Sequence, residues 1–275
     1  MASRTLRDTG TSFDGRVVDI GASYFTVSDP QFAAEISRLE SAGVVRPWTD
    51  GFHIAGSTGI EGVVGGPMRF AAPAGLRSVV EALASGLAAV SMNSVVERVD
   101  ELAADAVALC MPTPQASRVA DGLPNDPVTW QPVLAVTCVF DQSHWIELDG
   151  VFVNDDPVIT WIADDGSRRG DGAPVLVAHV DPVLSARHLD DPASVIPNVV
   201  AAIQRVLGFR QHPEWVDVHR WSFAKPTSAH PESFWISDDG TRALAGDGYA
   251  GGPKIETAWL SGHRLGLELA ARQRQ

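Results

Sequence analysis

The stretch "ALAGDGYAGGPKIETAWLSGHRLG", residues 243–266, decides how the chain folds. A short apolar run ends in Gly246-Asp247-Gly248, Gly251-Gly252-Pro253 makes a turn, and a helical pattern opens on Lys254, Ile255 and Glu256. Glycines at a strand end let backbone approach a ligand closely, because no Cβ stands in the way. Asp247 at that end can accept hydrogen bonds from sugar hydroxyls. The helix start at Lys254–Glu256 offers N–H groups and partial positive charge to an electron-rich oxygen. Gly262 and Gly266, four apart, let another element lie close to that helix. An ordinary strand-to-helix turn with a glycine cap has the same spacing, so the residues alone leave both functions open.

Working outward, the chain alternates strand and helix patterns. "RVVDIGASYFTV" (16–27) is apolar and β-branched, and Asp29-Pro30 then supplies an N-cap and first-turn proline for a helix closed by Gly43. "RFAAPAGLRSVVEALASGL" (69–87) predicts a short strand, a turn and a helix with Leu76, Val79, Val80 and Leu83 on one face. "AVSMNSVVERV" (89–99) and "ADAVALCMP" (104–112) predict two strands, the second apolar enough for a central parallel position. Residues 120–131 are rich in Pro, Asp and Asn and predict a crossing loop. From 132 to 185, closely spaced runs such as "VLAVTCVF", "GVFVND", "VITWIAD" and "PVLVAHV" predict an antiparallel sheet. A helix over 192–208, a strand over 215–224 and a last helix over 253–272 follow. The expected fold is mixed α/β with two interleaved parts: a nucleotide-binding sheet and a substrate domain with a mostly antiparallel sheet.

Composition bounds the function. The 275 residues are 45% hydrophobic and 20% charged, which excludes a disordered chain. The net charge of −13 carries no basic stripe, so neither nucleic acid nor anionic membrane is an expected partner. No apolar run approaches the roughly 18 residues of a membrane span, and the first residues lack a signal-peptide core, so the expected location is the cytoplasm. Cys110 and Cys138 both sit in apolar runs and are expected as buried structural thiols. The eight histidines are scattered without metal-ligand spacing, and no Gly-x-Ser-x-Gly elbow occurs.

The 243–266 segment resembles the C-terminal flavin-binding motif of glutathione-reductase-type flavoproteins, in particular the renalase-like, amine-oxidase-like branch of the Rossmann-type FAD proteins. "VDIGASYFTVSDPQF" is similar to a segment whose backbone lies along the flavin, which implies contacts from Gly21, Ala22 and Ser23. "VSMNSVVERV" resembles the strand that meets the adenine, placing Val96 there, and "VALCMPTPQA" resembles the loop near the pyrophosphate, placing Pro112 there. The same resemblance assigns Gly246 and Asp247 to the ribityl and pyrophosphate portion, and Lys254, Ile255 and Glu256 to the pyrimidine edge. "RFAAPAGLRSVVEAL", "GVFVNDDPVITWIADD" and "VDVHRWSFAKP" also fall in the branch's order. It implies an FAD-binding domain from 1–49, 88–127 and 232–275, and a substrate domain from 50–87 and 128–231.

That branch begins with a Gly-x-Gly-x-x-Gly βαβ unit of about 30–40 residues, whereas "MASRTL" matches the segment just after it. A longer cellular protein carrying the unit is expected; a remnant of the fold that binds no FAD is the alternative. The implied reaction is hydride transfer from a small reduced substrate, such as a dihydronicotinamide isomer, to FAD, with oxygen as reoxidant; an amine-oxidase-type flavoenzyme is a further alternative. Trp161, His219 and Trp221 are candidate aromatic walls for a planar ring, and Arg220 a candidate for a phosphate or carboxylate. The same residues also suit a packed core and a surface ion pair. The oligomeric state is not legible.

Overall fold

The strands β1 (Ser3–Thr5) and β2 (Val17–Asp19) pair as an antiparallel ribbon. Asp29 then caps α1 (Pro30–Ser41), its carboxylate accepting the amides of Gln31 at 2.8 Å and Phe32 at 3.3 Å, as a residue before a helix-opening proline should. A long hairpin, β3 (Arg46–Gly56) and β4 (Gly59–Ala71), precedes α2 (Arg77–Ala84), β5 (Val107–Leu109) and α3 (Thr113–Ala116). The chain continues through β6 (Trp130–Val139), β7 (Gly150–Val153), β8 (Ile159–Asp164), α4 (Asp165–Arg169), β9 (Val175–Val180), α5 (Pro182–Arg187) and α6 (Ile196–Leu207). It ends with β10 (Trp215–Pro226), β11 (Trp235–Ile236), β12 (Arg242–Leu244) and α7 (Ile255–Arg272). These elements come from a computed structural model that describes residues 1–125, 128–249, 251–272 and 274.

The chain divides into two compact units, residues 1–85 with 132–224, and residues 86–131 with 225–275. The first is built on a seven-stranded sheet of order β10-β6-β9-β8-β7-β3-β4. Its β6-β9-β8-β7 centre is antiparallel, as the closely spaced runs predicted, while β3 joins β7 in parallel. Strand alternation sends Leu134, Val136, Cys138, Ile162, Leu176 and Ala178 to one face, where Val199, Ala202, Ile203 and Val206 of α6 cover them. Ala135, Val139 and Val175 point the other way and are covered by Leu6, Val18 and Ile20. Burial pushes the Cys138 thiol up to about 12, so it is an inert core residue.

The second unit has a three-stranded sheet of order β11-β12-β5, with β12 parallel to β5 and antiparallel to β11. Residues 89–98 form no strand; Val95 is 87% exposed and no described strand pairs with it, and β-branched side chains make a strand only when a partner ladder exists. The strand expected over 104–112 shrinks to β5 at the edge of its sheet rather than its centre, and Cys110 beyond it is exposed. Val80 is exposed while Val79 and Leu76 are buried, because α2 packs through a narrower stripe. The long β3–β4 hairpin went unread because glycines at 59, 62, 65 and 66 and an exposed outer strand hide its alternation. The crossing loop over 120–131 is described except at 126 and 127, so the expected boundary at 127 lies outside the described residues.

Beneath the β1–β2 ribbon lies a charged core that holds α4 in place. Arg168 is fully buried, and its Nε donates to Asp165 Oδ1 at 3.1 Å while Nη2 donates to Asp165 and, at 3.0 Å, to the Asp19 carbonyl. Arg16 pairs with the opposite oxygen of Asp165 and with Asp171 at 3.1 Å. Gly166, inside α4, faces the backbone of Ala173 so closely that a Cβ would overlap it. Gly166→Ala should therefore destabilise the protein by about 2–3 kcal/mol, read as a clear fall in Tm; an unchanged Tm would show that the β8–β9 connection yields freely.

Candidate functional site

In the second unit, β12 buries Ala243 and Leu244 against its neighbours, and the chain then turns through Gly246 at φ 148°, Gly251 at 117° and Gly252 at 84°. Such angles favour glycine, and a Cβ on Gly246 or Gly252 would meet nothing within 4 Å, so open space lies beside this backbone. The Gly246 amide donates to Ser261 Oγ at 3.0 Å, tying the bend to α7 through a buried hydroxyl. Asp247 is half-buried, and burial pushes its carboxyl above the usual carboxylate range. Tyr249 stacks on His230 at 4.9 Å.

The Lys254 amide donates to the Gly252 carbonyl at 2.8 Å, and the Ala258 amide makes the first helical bond to the Lys254 carbonyl at 3.0 Å. The amides at 255–257 thus precede the first intrahelical bond of an 18-residue helix. Lys254 is exposed, Ile255 half-buried, and Glu256 buried in the first turn, where a carboxylate suits the helix dipole. In the same unit Val96 is exposed on irregular chain rather than on a strand, and Pro112 is the residue before α3, half-buried. Gly21, Ala22 and Ser23 belong to the first unit. The Gly21 amide donates to the Ala2 carbonyl at 3.3 Å, and a Cβ there would come within 3.1 Å of the Ala2 nitrogen, a tight approach beside β1. Ser23 is buried, its carbonyl accepting Arg168 Nη1 at 3.2 Å and its hydroxyl unpartnered.

The first unit gathers an aromatic cluster on the sheet face opposite α6. Phe52 is its centre, fully buried, with ring centroids 4.8 Å from Trp161, 5.1 Å from Tyr24, 5.3 Å from Trp48 and 5.5 Å from Phe152. Trp161 is 5% exposed, a core residue whose indole N–H has no acceptor among the described residues. The guanidinium of Arg69 lies 4.4 Å over the Phe52 ring. Burial pushes the Tyr24 phenol up although Arg69 pulls the other way, so Tyr24 stays a neutral donor.

His219 and Trp221 do come together on β10, their rings 4.5 Å apart on the same face of the strand. The Trp221 indole donates to the Ile20 carbonyl at 2.7 Å, and burial holds the His219 imidazole below its usual value, keeping it neutral near pH 7. Arg220 is not with them. Alternation turns it to the other face, where it is exposed and donates to the Leu189 carbonyl at 2.7 Å. Trp161 is also apart from that pair, because β9 and β6 stand between β8 and β10, a separation of about 14 Å at the ordinary strand spacing. Arg69, Tyr24 and Phe52 escaped the sequence analysis. An arginine between Met68 and Phe70 in an apolar strand was the one available signal.

No group of three potential metal ligands occurs among the described residues, and no helix of theirs is long and apolar enough to cross a membrane. No family model matches the chain. Among solved structures it resembles a protein of Exiguobacterium sp. 255-15 assigned as a protoporphyrinogen oxidase, 18% identical with a TM-score of 0.55 over 76% of this chain and 53% of that one. It also resembles p-nitrophenol 4-monooxygenase PnpA from Pseudomonas putida DLL-E4, 18% identical with a TM-score of 0.50 over 88% of this chain and 68% of that one. The chain spans about half the length of the first of these proteins. What it shares with these oxidoreductases is the fold, a mixed α/β architecture with a seven-stranded mixed sheet and a smaller sheet.

Proposed function

We propose that this chain is a flavin-dependent oxidoreductase that binds FAD and receives a hydride from a small reduced substrate. The supporting observation is the bend between β12 and α7, where glycines of positive φ leave open space beside the backbone and a half-buried carboxylate precedes a long helix. The absence of other atoms within 4 Å of a Cβ at Gly246 or Gly252 supports close approach of a ligand to this backbone. In this assignment Gly246 and Asp247 hold the ribityl and pyrophosphate portion, and Lys254, Ile255 and Glu256 the ring edge, with Val96 and Pro112 as further contacts. Bound FAD supplies a two-electron acceptor.

The chain's own groups bind and exclude. Asp247 accepts hydroxyl hydrogen bonds, the first amides of α7 donate to electron-rich oxygen, and the Phe52–Trp161 cluster keeps water from a planar ring. His219 and Trp221 are a second aromatic wall, while Arg220 serves a role away from them. A dihydronicotinamide isomer as substrate and oxygen as reoxidant extend the proposal on the resemblance to renalase-like proteins. Titration of the purified protein with FAD, followed by flavin fluorescence, should saturate, and Asp247→Ala should weaken binding about ten- to a hundredfold. Wild-type protein that leaves FAD untouched would identify a non-catalytic remnant of the fold. Bound flavin that dihydronicotinamide isomers fail to bleach anaerobically would turn attention to amines.

A further inference from the structure

Arg69 is 6% exposed on β4 and has neither an ion pair nor a hydrogen bond to any described residue; its Nη1 is buried without an acceptor. The neighbouring buried arginines differ. Arg168 and Arg16 both bind Asp165, and Arg16 also binds Asp171. A guanidinium nitrogen buried without an acceptor is disfavoured, and the Phe52 ring beneath it recovers only part of the lost hydration. Its Nη2 lies close over the strand, 2.8 Å from where a Cβ on Gly66 would stand.

Two more donors meet the same Phe52 ring. Trp161, with its buried unpartnered indole N–H, has its ring centroid 4.8 Å away, and Tyr24, whose hydroxyl bonds no described residue, has its ring 5.1 Å away. Three donors around one ring, none with an acceptor among the described residues, favour an anionic partner. A single fixed positive charge matches one negative charge, which favours a carboxylate over a phosphate dianion, and the planar guanidinium fork fits a carboxylate edge. The surrounding rings favour a flat partner.

We infer that Arg69, Trp161 and Tyr24 form a subsite around Phe52 for a planar ring bearing one carboxylate, with Arg69 holding the carboxylate. The subsite names the substrate class of the oxidoreductase proposed above and rests on that proposal only in calling its occupant a substrate. Nicotinate and nicotinamide are near-isosteric and differ in charge, so they are the probes. Tryptophan fluorescence of the full chain should titrate saturably with nicotinate, with nicotinamide at least about tenfold weaker. Arg69→Met should abolish that preference while melting no lower than wild type, since it removes an unpaired buried charge. Nicotinate should raise the Tm of wild type and leave that of the variant unmoved.

Equal binding of the two probes, no binding of nicotinate, a variant that keeps the preference, or a variant with a markedly lower Tm would each overturn the subsite. Wild-type protein titrated with FAD in parallel separates the two proposals. FAD binding without nicotinate binding removes the subsite alone, and nicotinate binding without FAD binding removes the flavin alone.

Discussion

Asp165→Ala should be the most destabilising single substitution in the first unit. The Asp165 side chain is fully buried and receives Arg168 and Arg16, and Arg168 is itself fully buried. Removing the carboxylate strands the Arg168 guanidinium in the core, with only the carbonyls of Asp19 and Ser23 and the more distant Asp19 carboxylate, 3.9 Å from its Nε, to meet it. Breaking a buried pair from one side costs about 3–5 kcal/mol, against a total stability of about 5–15 kcal/mol. A urea melt followed by tryptophan fluorescence should show the midpoint falling sharply. A midpoint within the scatter of wild type would mean that Asp19 alone can compensate Arg168.

The same cluster sets an acid limit. Burial alone would raise the Asp165 carboxyl, but Arg168 and Arg16 outweigh it and hold the carboxyl below its ordinary 3.8. Its contribution is therefore complete above that value and is lost as pH falls below it through the folded-state value. Asp19 runs oppositely: burial, ahead of the Arg168 attraction, holds it above 3.8, so taking up its proton between the two values favours the fold. Wild-type stability should thus persist to acid pH and fall only below about 3.8, whereas Asp165→Asn, if it folds, should lose the Asp165 contribution to this fall.

Phe52→Ala should come next in severity. The ring is fully buried and packs against Tyr24, Trp48, Phe152 and Trp161, with Arg69 over its face. Truncation of a buried phenylalanine costs about 3–5 kcal/mol, and here the ring that faces Arg69 goes as well. Phe52→Leu keeps most of the volume and should cost less, while still losing the cation–π contact of about 0.5–2 kcal/mol. Chemical denaturation of both variants checks this order. If the leucine variant were as unstable as the alanine variant, the quadrupole of the ring rather than its volume would be the dominant contribution.

Local signals read well from the chain. Asp29-Pro30 started a helix because its cap needs only its neighbours, and the closely spaced apolar runs of 132–185 produced an antiparallel sheet because short connections bring successive strands together in opposite directions. Gly246, Gly251 and Gly252 took the positive φ angles that a strand-to-helix bend requires. Among the candidate site residues, His219 and Trp221 were legible as a pair because i and i+2 share a strand face. Arg220 was assigned to the same neighbourhood although that alternation turns it away.

By itself, the amino-acid order determined where strands, caps and glycine bends fall, since hydrophobic period and backbone sterics act within a few residues of each other. Only the tertiary structure decided that residues 89–98 stay out of any strand, that Trp161 and Trp221 stand three strands apart, and that Phe52, Tyr24 and Arg69 meet at one ring. Those outcomes depend on which strands pair and on which charges find partners. Arg168 has Asp165 three residues away and Arg69 has no such carboxylate, a difference set by burial and distance between side chains from separate strands rather than by spacing along the chain.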